Sequence, residues 1–480
     1  MKKKELKFRI TVYLAVVAFV FISLFSRLFY LQILQNQQFK QQSESNRTRL
    51  IKIPAKRGDI LDSKGEVFAT SKPVFSILYT PAEGHSIEEI AEKISKITKN
   101  PADTPENIAE IVRTHPRKYA PVEIARVPWG ENAWEVISEI EEKRLELPGI
   151  SIEEYPLRYY PHNELAGHIL GYVGKINDKE LEENSKYNYD LQDWIGKTGI
   201  ERFTELLRYE DNRVIGLKGK DGVRQVEVDA RNRKIKELIT IPPTPGYDSV
   251  LTIDMDLQRA LEESLDRVIE DIKKSNPKAE AGGGIVLDVN TGAVLAAASR
   301  PAINPNDFVD GSYSGKKDYY NDPVIKPLFD RVFQGTYPPG STYKPITGMA
   351  ALEAGINPNE KVLCRRSYWR PPYIRCWSVH GSVDFYSALA GSCNVYFQEA
   401  AHRTGIDKMV EVAQAFGMGE KTNTLGIINE SSGLLPTPKW KKELYEASLG
   451  KKYEKKFNDL NKERMDKLST ASEEEKDKIN

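Results

Sequence analysis

A serine and a lysine three residues apart, Ser341 and Lys344, sit within Tyr337-Pro-Pro-Gly-Ser-Thr-Tyr-Lys-Pro345. On a helix that spacing puts both side chains on one face, so the amine can reach the hydroxyl. A serine hydroxyl is a poor nucleophile at neutral pH and needs a base to take its proton. Lysine can be that base where desolvation or nearby positive charge lowers its pKa. Spacing alone is weak evidence, because Ser275/Lys278, Ser314/Lys317 and Ser448/Lys451 repeat it. Context sets Ser341 apart: a Pro-Pro-Gly turn leads into it, and an apolar run from Ile346 to Leu352 follows. A serine at the first turn of a buried helix meets backbone N–H groups and the positive end of the helix dipole, which favour a developing oxyanion. The competing reading is an ordinary N-cap after a proline turn.

A second segment, Gly391-Ser-Cys-Asn-Val-Tyr-Phe397, holds a hydroxyl and an amide two residues apart. Ser392 could relay a proton, and Asn394 could hold the lysine or bind a substrate amide. Three cysteines and six histidines are too few and too scattered for a zinc framework, and no H-E-x-x-H occurs, so neither metal nor cofactor is expected. Cys364 and Cys376 flank a turn-like loop containing Pro371 and Pro372, and a disulfide and two unpaired thiols are both open readings, with Cys393 left over. The same loop is rich in arginine and aromatic residues, which suits either lining a substrate groove or packing.

The elements that must position these residues fall into four segments. Residues 1–35 carry basic residues before an apolar run from Ile10 through Leu34, long enough for the roughly 20 helical residues that span a hydrocarbon core. The lysines predict a cytoplasmic N-terminus with the bulk of the chain outside the inner (plasma) membrane. No small-residue cleavage site follows the run, which favours a retained single-pass anchor over a signal peptide. Residues 36–245 read as mixed α+β, with a strand at Val74–Tyr79 and a helix from Ser86 to Ile97. The proline cluster Ile241-Pro-Pro-Thr-Pro-Gly-Tyr247 ends that domain. The next, residues 246–438, opens with a strand-like Val250–Ile253, a helix over Asp256–Ile272 and a hairpin turning at Asn290-Thr291-Gly292. Residues 439–480 are rich in lysine and glutamate and read as solvated helix or disorder. Equal totals of 69 basic and 69 acidic residues point to no nucleic-acid partner.

Together, Ser341-Thr-Tyr-Lys344 and Ser392-Cys-Asn394 resemble the first two motifs of the penicillin-binding proteins. Arg57-Gly-Asp-Ile-Leu-Asp-Ser-Lys-Gly65 and Leu251-Thr-Ile-Asp-Met-Asp-Leu-Gln258 are similar to the openings of the pedestal and transpeptidase domains of the class B branch. Ala297–Pro301 and Pro327–Arg331 continue that likeness. Arg158-Tyr-Tyr-Pro161, His168–Gly174, Gly196-Lys-Thr-Gly-Ile-Glu-Arg202 and Ser432–Pro438 resemble the cell-elongation branch, penicillin-binding protein 2. The resemblance implies a transmembrane helix, an α+β pedestal (dimerisation) domain and an α/β serine transpeptidase domain of the penicillin-binding/β-lactamase type.

It also implies a D,D-transpeptidase that crosslinks peptidoglycan. Ser341 would attack the D-Ala-D-Ala carbonyl of a stem peptide, Lys344 would be the base, Ser392 the relay and Asn394 the partner of substrate and lysine. β-Lactams would acylate the same serine, and a membrane glycan polymerase with other elongation-complex proteins would be partners. The family's third motif, Lys-Thr/Ser-Gly, does not appear after Asn394; Lys197-Thr-Gly199 lies before the nucleophile and reads as structural. The expectation is therefore a C-terminally incomplete transpeptidase domain. The alternative is a truncated or inactive scaffold acting through its pedestal.

Overall fold

The computed structural model describes residues 2–35, 48–81, 86–101, 103–114, 121–128, 130, 132–187, 189–191, 193–208, 214–228, 234–371, 373–422 and 429–470. Pro372 and residues 471–480, both named above, lie outside this set. The chain forms two compact units, residues 1–328 and 329–480.

The first unit begins with helix α1 (Lys2–Phe29), continued by a π-helical turn at Tyr30–Leu34. Val12–Leu34 has a mean hydropathy of 2.2 and none of it is buried, so it is long and apolar enough to cross a membrane. Strand β1 (Thr48–Ile53) follows, then β2 (Ile60–Leu61) and the 13-residue β3 (Val67–Tyr79). Helices α2 (Ile87–Thr98) and α3 (Pro105–Thr114) come before β4 (Val122–Pro128), and α4 (Ala133–Glu142) before β5 (Ile150–Tyr159). Ser86 caps α2 by accepting from Glu89 N, and Ile90, Ala91, Ile94 and Ile97 form its buried stripe. That stripe packs with Phe75, Ile77 and Tyr79 of β3 and Ile124 of β4.

Strand β3 is the spine, pairing antiparallel with both β4 and β5. After helix α5 (Gly199–Phe203), strands β6 (Gly222–Val228) and β7 (Lys234–Ile241) form a three-stranded antiparallel sheet with β1. Of the expected Val250–Ile253 strand only Val250 is strand, in β8 (Ser249–Val250), which pairs parallel to β2. Helix α6 (Met255–Lys273), capped by Asp254, then packs on the hairpin of β9 (Gly282–Leu287) and β10 (Val294–Arg300).

Three of the motif segments meet inside this unit. Glu201, fully buried, binds Arg57 at 2.8 Å and also Arg158, while Tyr160 Oη donates to it at 3.1 Å. Arg57 also pairs with Glu205 at 2.7 Å. Burial alone would raise the Glu201 carboxyl, but Arg158 and Arg57 outweigh it and hold it below the usual carboxylate range. The motif residues near Arg57, Arg158 and Glu201 are thus partners in one ion network. Lys197 of the Lys-Thr-Gly triplet pairs with Glu180 in the same unit.

The second unit is built around α7 (Lys344–Glu353), entered through a 3₁₀ turn at Gly340–Tyr343. Strands β11 (Val362–Cys364) and β12 (Gly381–Val383) pair antiparallel. Helices α8 (Phe385–Ala390), α9 (Asn394–Thr404) and α10 (Ile406–Ala415) follow. α7 packs on α9 and α10, burying Ile346, Thr347, Gly348, Ala350 and Ala351. Gly348 permits the close approach: a Cβ there would meet the Phe385 ring at 2.7 Å. Pro438–Thr470 forms helix α11, most of whose described side chains are exposed.

Candidate active site

All four candidate residues lie in the second unit, and the fold brings them together. Pro339 and Gly340, the latter at φ +58°, turn the chain so that Ser341 enters on the 3₁₀ turn and stays exposed. Lys344 is the first residue of α7, so the serine stands one turn before the α-helix proper. On the opposite side, α8 ends at Ala390. Ser392 then takes φ +51°, a left-handed conformation that non-glycine residues rarely hold, before Asn394 opens α9. Backbone bonds from Ser392 N to Leu389 O (3.1 Å) and Cys393 N to Ala388 O (2.8 Å) hold this reversal.

Lys344 Nζ donates to Ser392 O at 2.7 Å, Ser392 Oγ at 2.9 Å and Asn394 Oδ1 at 2.7 Å. Ser392 Oγ in turn lies 3.1 Å from Ser341 Oγ. The connection from lysine to nucleophile therefore runs through Ser392. Two of the three lysine partners, a carbonyl and an amide oxygen, can only accept. A neutral lysine keeps its two N–H bonds to them, and its lone pair then faces the Ser392 hydroxyl. With that hydroxyl turned toward the amine, Ser392 can accept from Ser341, so the arrangement can pass a proton from Ser341 through Ser392 to Lys344. Burial pushes the Lys344 ammonium below its ordinary value, against the opposing influence of Cys376 and Cys393.

A feature absent from the sequence reading lies directly behind Ser392 and Asn394. Cys364, Cys376, His380 and Cys393 place one donor atom each within 4.8 Å of one another. All three thiols are buried and none is in a disulfide, so the unpaired reading of Cys364 and Cys376 holds. His380 Nδ1 lies 3.6 Å from Cys364 Sγ and 3.4 Å from Cys376 Sγ. Thiolates about 2.3 Å from a tetrahedral zinc sit roughly 3.7 Å apart, so this donor set fits such an ion. The expectation that these residues are too scattered for a metal is corrected here: β11, β12 and the turn before α9 bring them to one point. The short Cys376-Trp-Ser-Val-His380 spacing was the available signal.

The cluster also touches the site. Asn394 N donates to Cys376 Sγ at 3.3 Å, and Asn394 Nδ2 to Arg375 O at 3.1 Å. Burial would raise the Cys376 thiol, but N–H groups of Ser378, Asn394 and Val395 outweigh it and bring it down to about 6. Burial pushes Cys393 up to about 12.

Comparison with known proteins places both parts of the chain in known families. Residues 52–251 match the Penicillin-binding Protein dimerisation domain, and residues 282–454 the Penicillin binding protein transpeptidase domain. The peptidoglycan D,D-transpeptidase MrdA of Acinetobacter baumannii is 34% identical over 92% of this chain and 62% of its own length. The Salmonella typhimurium MrdA is 30% identical over 92% of this chain and 68% of its own. A solved complex between penicillin-binding protein 2 and MreC from Helicobacter pylori superimposes with a TM-score of 0.66 at 28% identity, covering 83% of this chain and 70% of that one. The chain spans 62% of the length of the A. baumannii relative and 64% of that of Escherichia coli K12. With a pedestal match, a transpeptidase match and the Ser341, Lys344, Ser392 and Asn394 constellation in place, the chain belongs to the class B penicillin-binding proteins, in the branch of penicillin-binding protein 2.

Proposed function

We propose that this protein is a serine D,D-transpeptidase that crosslinks peptidoglycan stem peptides during cell-wall elongation. The carrying observation is the continuous path of hydroxyl and amine from Ser341 Oγ through Ser392 Oγ, 3.1 Å away, to Lys344 Nζ, 2.9 Å further. Ser341 adds to the D-Ala-D-Ala carbonyl while its proton passes through Ser392 to Lys344. The returning proton leaves with the terminal D-Ala, giving an acyl-enzyme. An amine from a second stem resolves it by the same relay. Asn394 holds the lysine and offers its amide to the donor peptide. The apolar helix α1 anchors the chain in the plasma membrane with its N-terminus in the cytoplasm. The pedestal meets a membrane glycan polymerase and other elongation-complex proteins.

The scaffold alternative is less favoured, because a chain released from chemistry has no need to keep Ser392 in a left-handed conformation between lysine and nucleophile. We further propose that Cys364, Cys376, His380 and Cys393 hold a structural zinc ion behind Ser392 and Asn394. Incubation with a fluorescent penicillin tests the catalytic reading. A covalent band that disappears in Ser341→Ala supports it, and equal labelling of both proteins, or of neither, sinks it.

A further inference from the structure

Residues 365–371 lead away from the cluster at Cys364 and residues 373–375 lead back to it at Cys376, and these two arms are tied to each other. An antiparallel bridge joins Ser367 to Arg375, Tyr368 N donates to Ile374 O at 3.3 Å, and Cys376 N donates to Arg366 O at 2.6 Å. Tyr368 turns inward, 4% exposed, and its hydroxyl donates to Glu399 on α9 at 2.8 Å. Arg366 and Tyr373 hold φ of +75° and +55°, conformations a loop without a task has little reason to keep.

Outward the loop presents three rings: Trp369, Tyr373 and Trp377 are 51%, 60% and 66% exposed, and such amphipathic rings are enriched at interfaces. Arg365 and Arg366 precede these rings along the chain and Arg375 falls between Tyr373 and Trp377; all three are exposed and, among the described residues, without an ion-pair partner. Arg370 differs, contacting His402. No acidic residue occurs from Arg365 to Trp377. Unneutralised guanidinium groups interleaved with flat rings suit a ligand with carboxylates and broad apolar faces. The loop also abuts the nucleophile's partners: Arg375 O accepts from Asn394, and Trp377 Nε1 donates to Gly391 O at 3.2 Å, next to Ser392.

We infer that this loop is a docking platform for an anionic glycan, binding the sugar strand and stem-peptide carboxylates of the peptidoglycan whose peptide reaches Ser341. The inference rests on the transpeptidase reading and adds to it where the substrate is held outside the catalytic residues. Its charge is arginine on a rigid turn interleaved with rings. That arrangement differs from the lysine-rich amphipathic helix that lies on anionic lipid.

The test uses the full chain in detergent micelles with soluble glycan strands that carry intact stem peptides, binding being followed by fluorescence anisotropy. Arg365→Gln/Arg366→Gln and Trp369→Ala are each expected to weaken binding about tenfold, with thermal unfolding as the check that each variant folds. The same strands should bind Ser341→Ala as well as wild type, which separates docking from chemistry. Loss of penicillin labelling in wild type would overturn the transpeptidase reading while the binding comparison still decides this one. Unchanged glycan binding in folded variants overturns the platform. So does a loss confined to vesicles of phosphatidylglycerol, which would make the loop a membrane contact.

Discussion

Lys344 and Ser341 are joined through a third residue: Nζ lies 2.9 Å from Ser392 Oγ, which lies 3.1 Å from the nucleophile. On the proposed mechanism Ser392 is a working part of the proton path and not a support for it, and that can be tested. Ser392→Gly removes the hydroxyl and suits the left-handed backbone at φ +51°. Penicillin acylation of this variant should fall about 10²–10⁴-fold, the usual scale of general acid–base loss. Acylation within a fewfold of wild type would show that Lys344 acts on Ser341 without the relay.

Lys344 must be neutral to accept a proton, and burial lowers its pKa from the ordinary lysine value. The acylation rate should climb with pH as the amine deprotonates, with its midpoint below that ordinary value. Stopped-flow acylation across pH reads this directly. A midpoint at or above the ordinary lysine value contradicts the assignment.

Glu201 predicts an acid dependence of stability in the first unit. Its folded pKa is depressed, so its contribution is present above the ordinary glutamate pKa of about 4.5 and is lost as pH falls through the folded value. Glu201→Gln leaves Arg57 and Arg158 buried without their shared carboxylate and should cost about 3–5 kcal/mol near neutral pH. Denaturant unfolding of wild type and variant should converge as the pH is lowered, and parallel curves down to acid pH would refute the role.

The cluster of three thiols and His380 predicts about one zinc per chain after purification under reducing conditions. Cys393→Ser should lower that content, and chelation should lower the melting temperature of wild type while exposing thiols to an alkylating reagent. Wild type free of metal, with no response to added zinc or chelator, would leave the thiols as packing.

Much of this protein was legible in its residues because the relevant signals are local. Ser341 and Lys344 are one turn apart, so their spacing puts them on one face, and Pro338-Pro339-Gly340 before them marks where that turn begins and sets the pair apart from its repeats. The apolar run into Leu34, the helical spacing from Ser86 to Ile97 and the Asn290-Thr291-Gly292 turn are read the same way, each from neighbours along the chain. The tertiary structure decided whatever depends on distant segments meeting. It made Ser392 the intermediary between lysine and nucleophile, because the left-handed turn before α9 aims its hydroxyl between them. It also gathered Cys364, Cys376, His380 and Cys393, whose intervals of 11, 3 and 12 intervening residues carry no helical or strand period and converge only after β11, β12 and α8 reverse the chain.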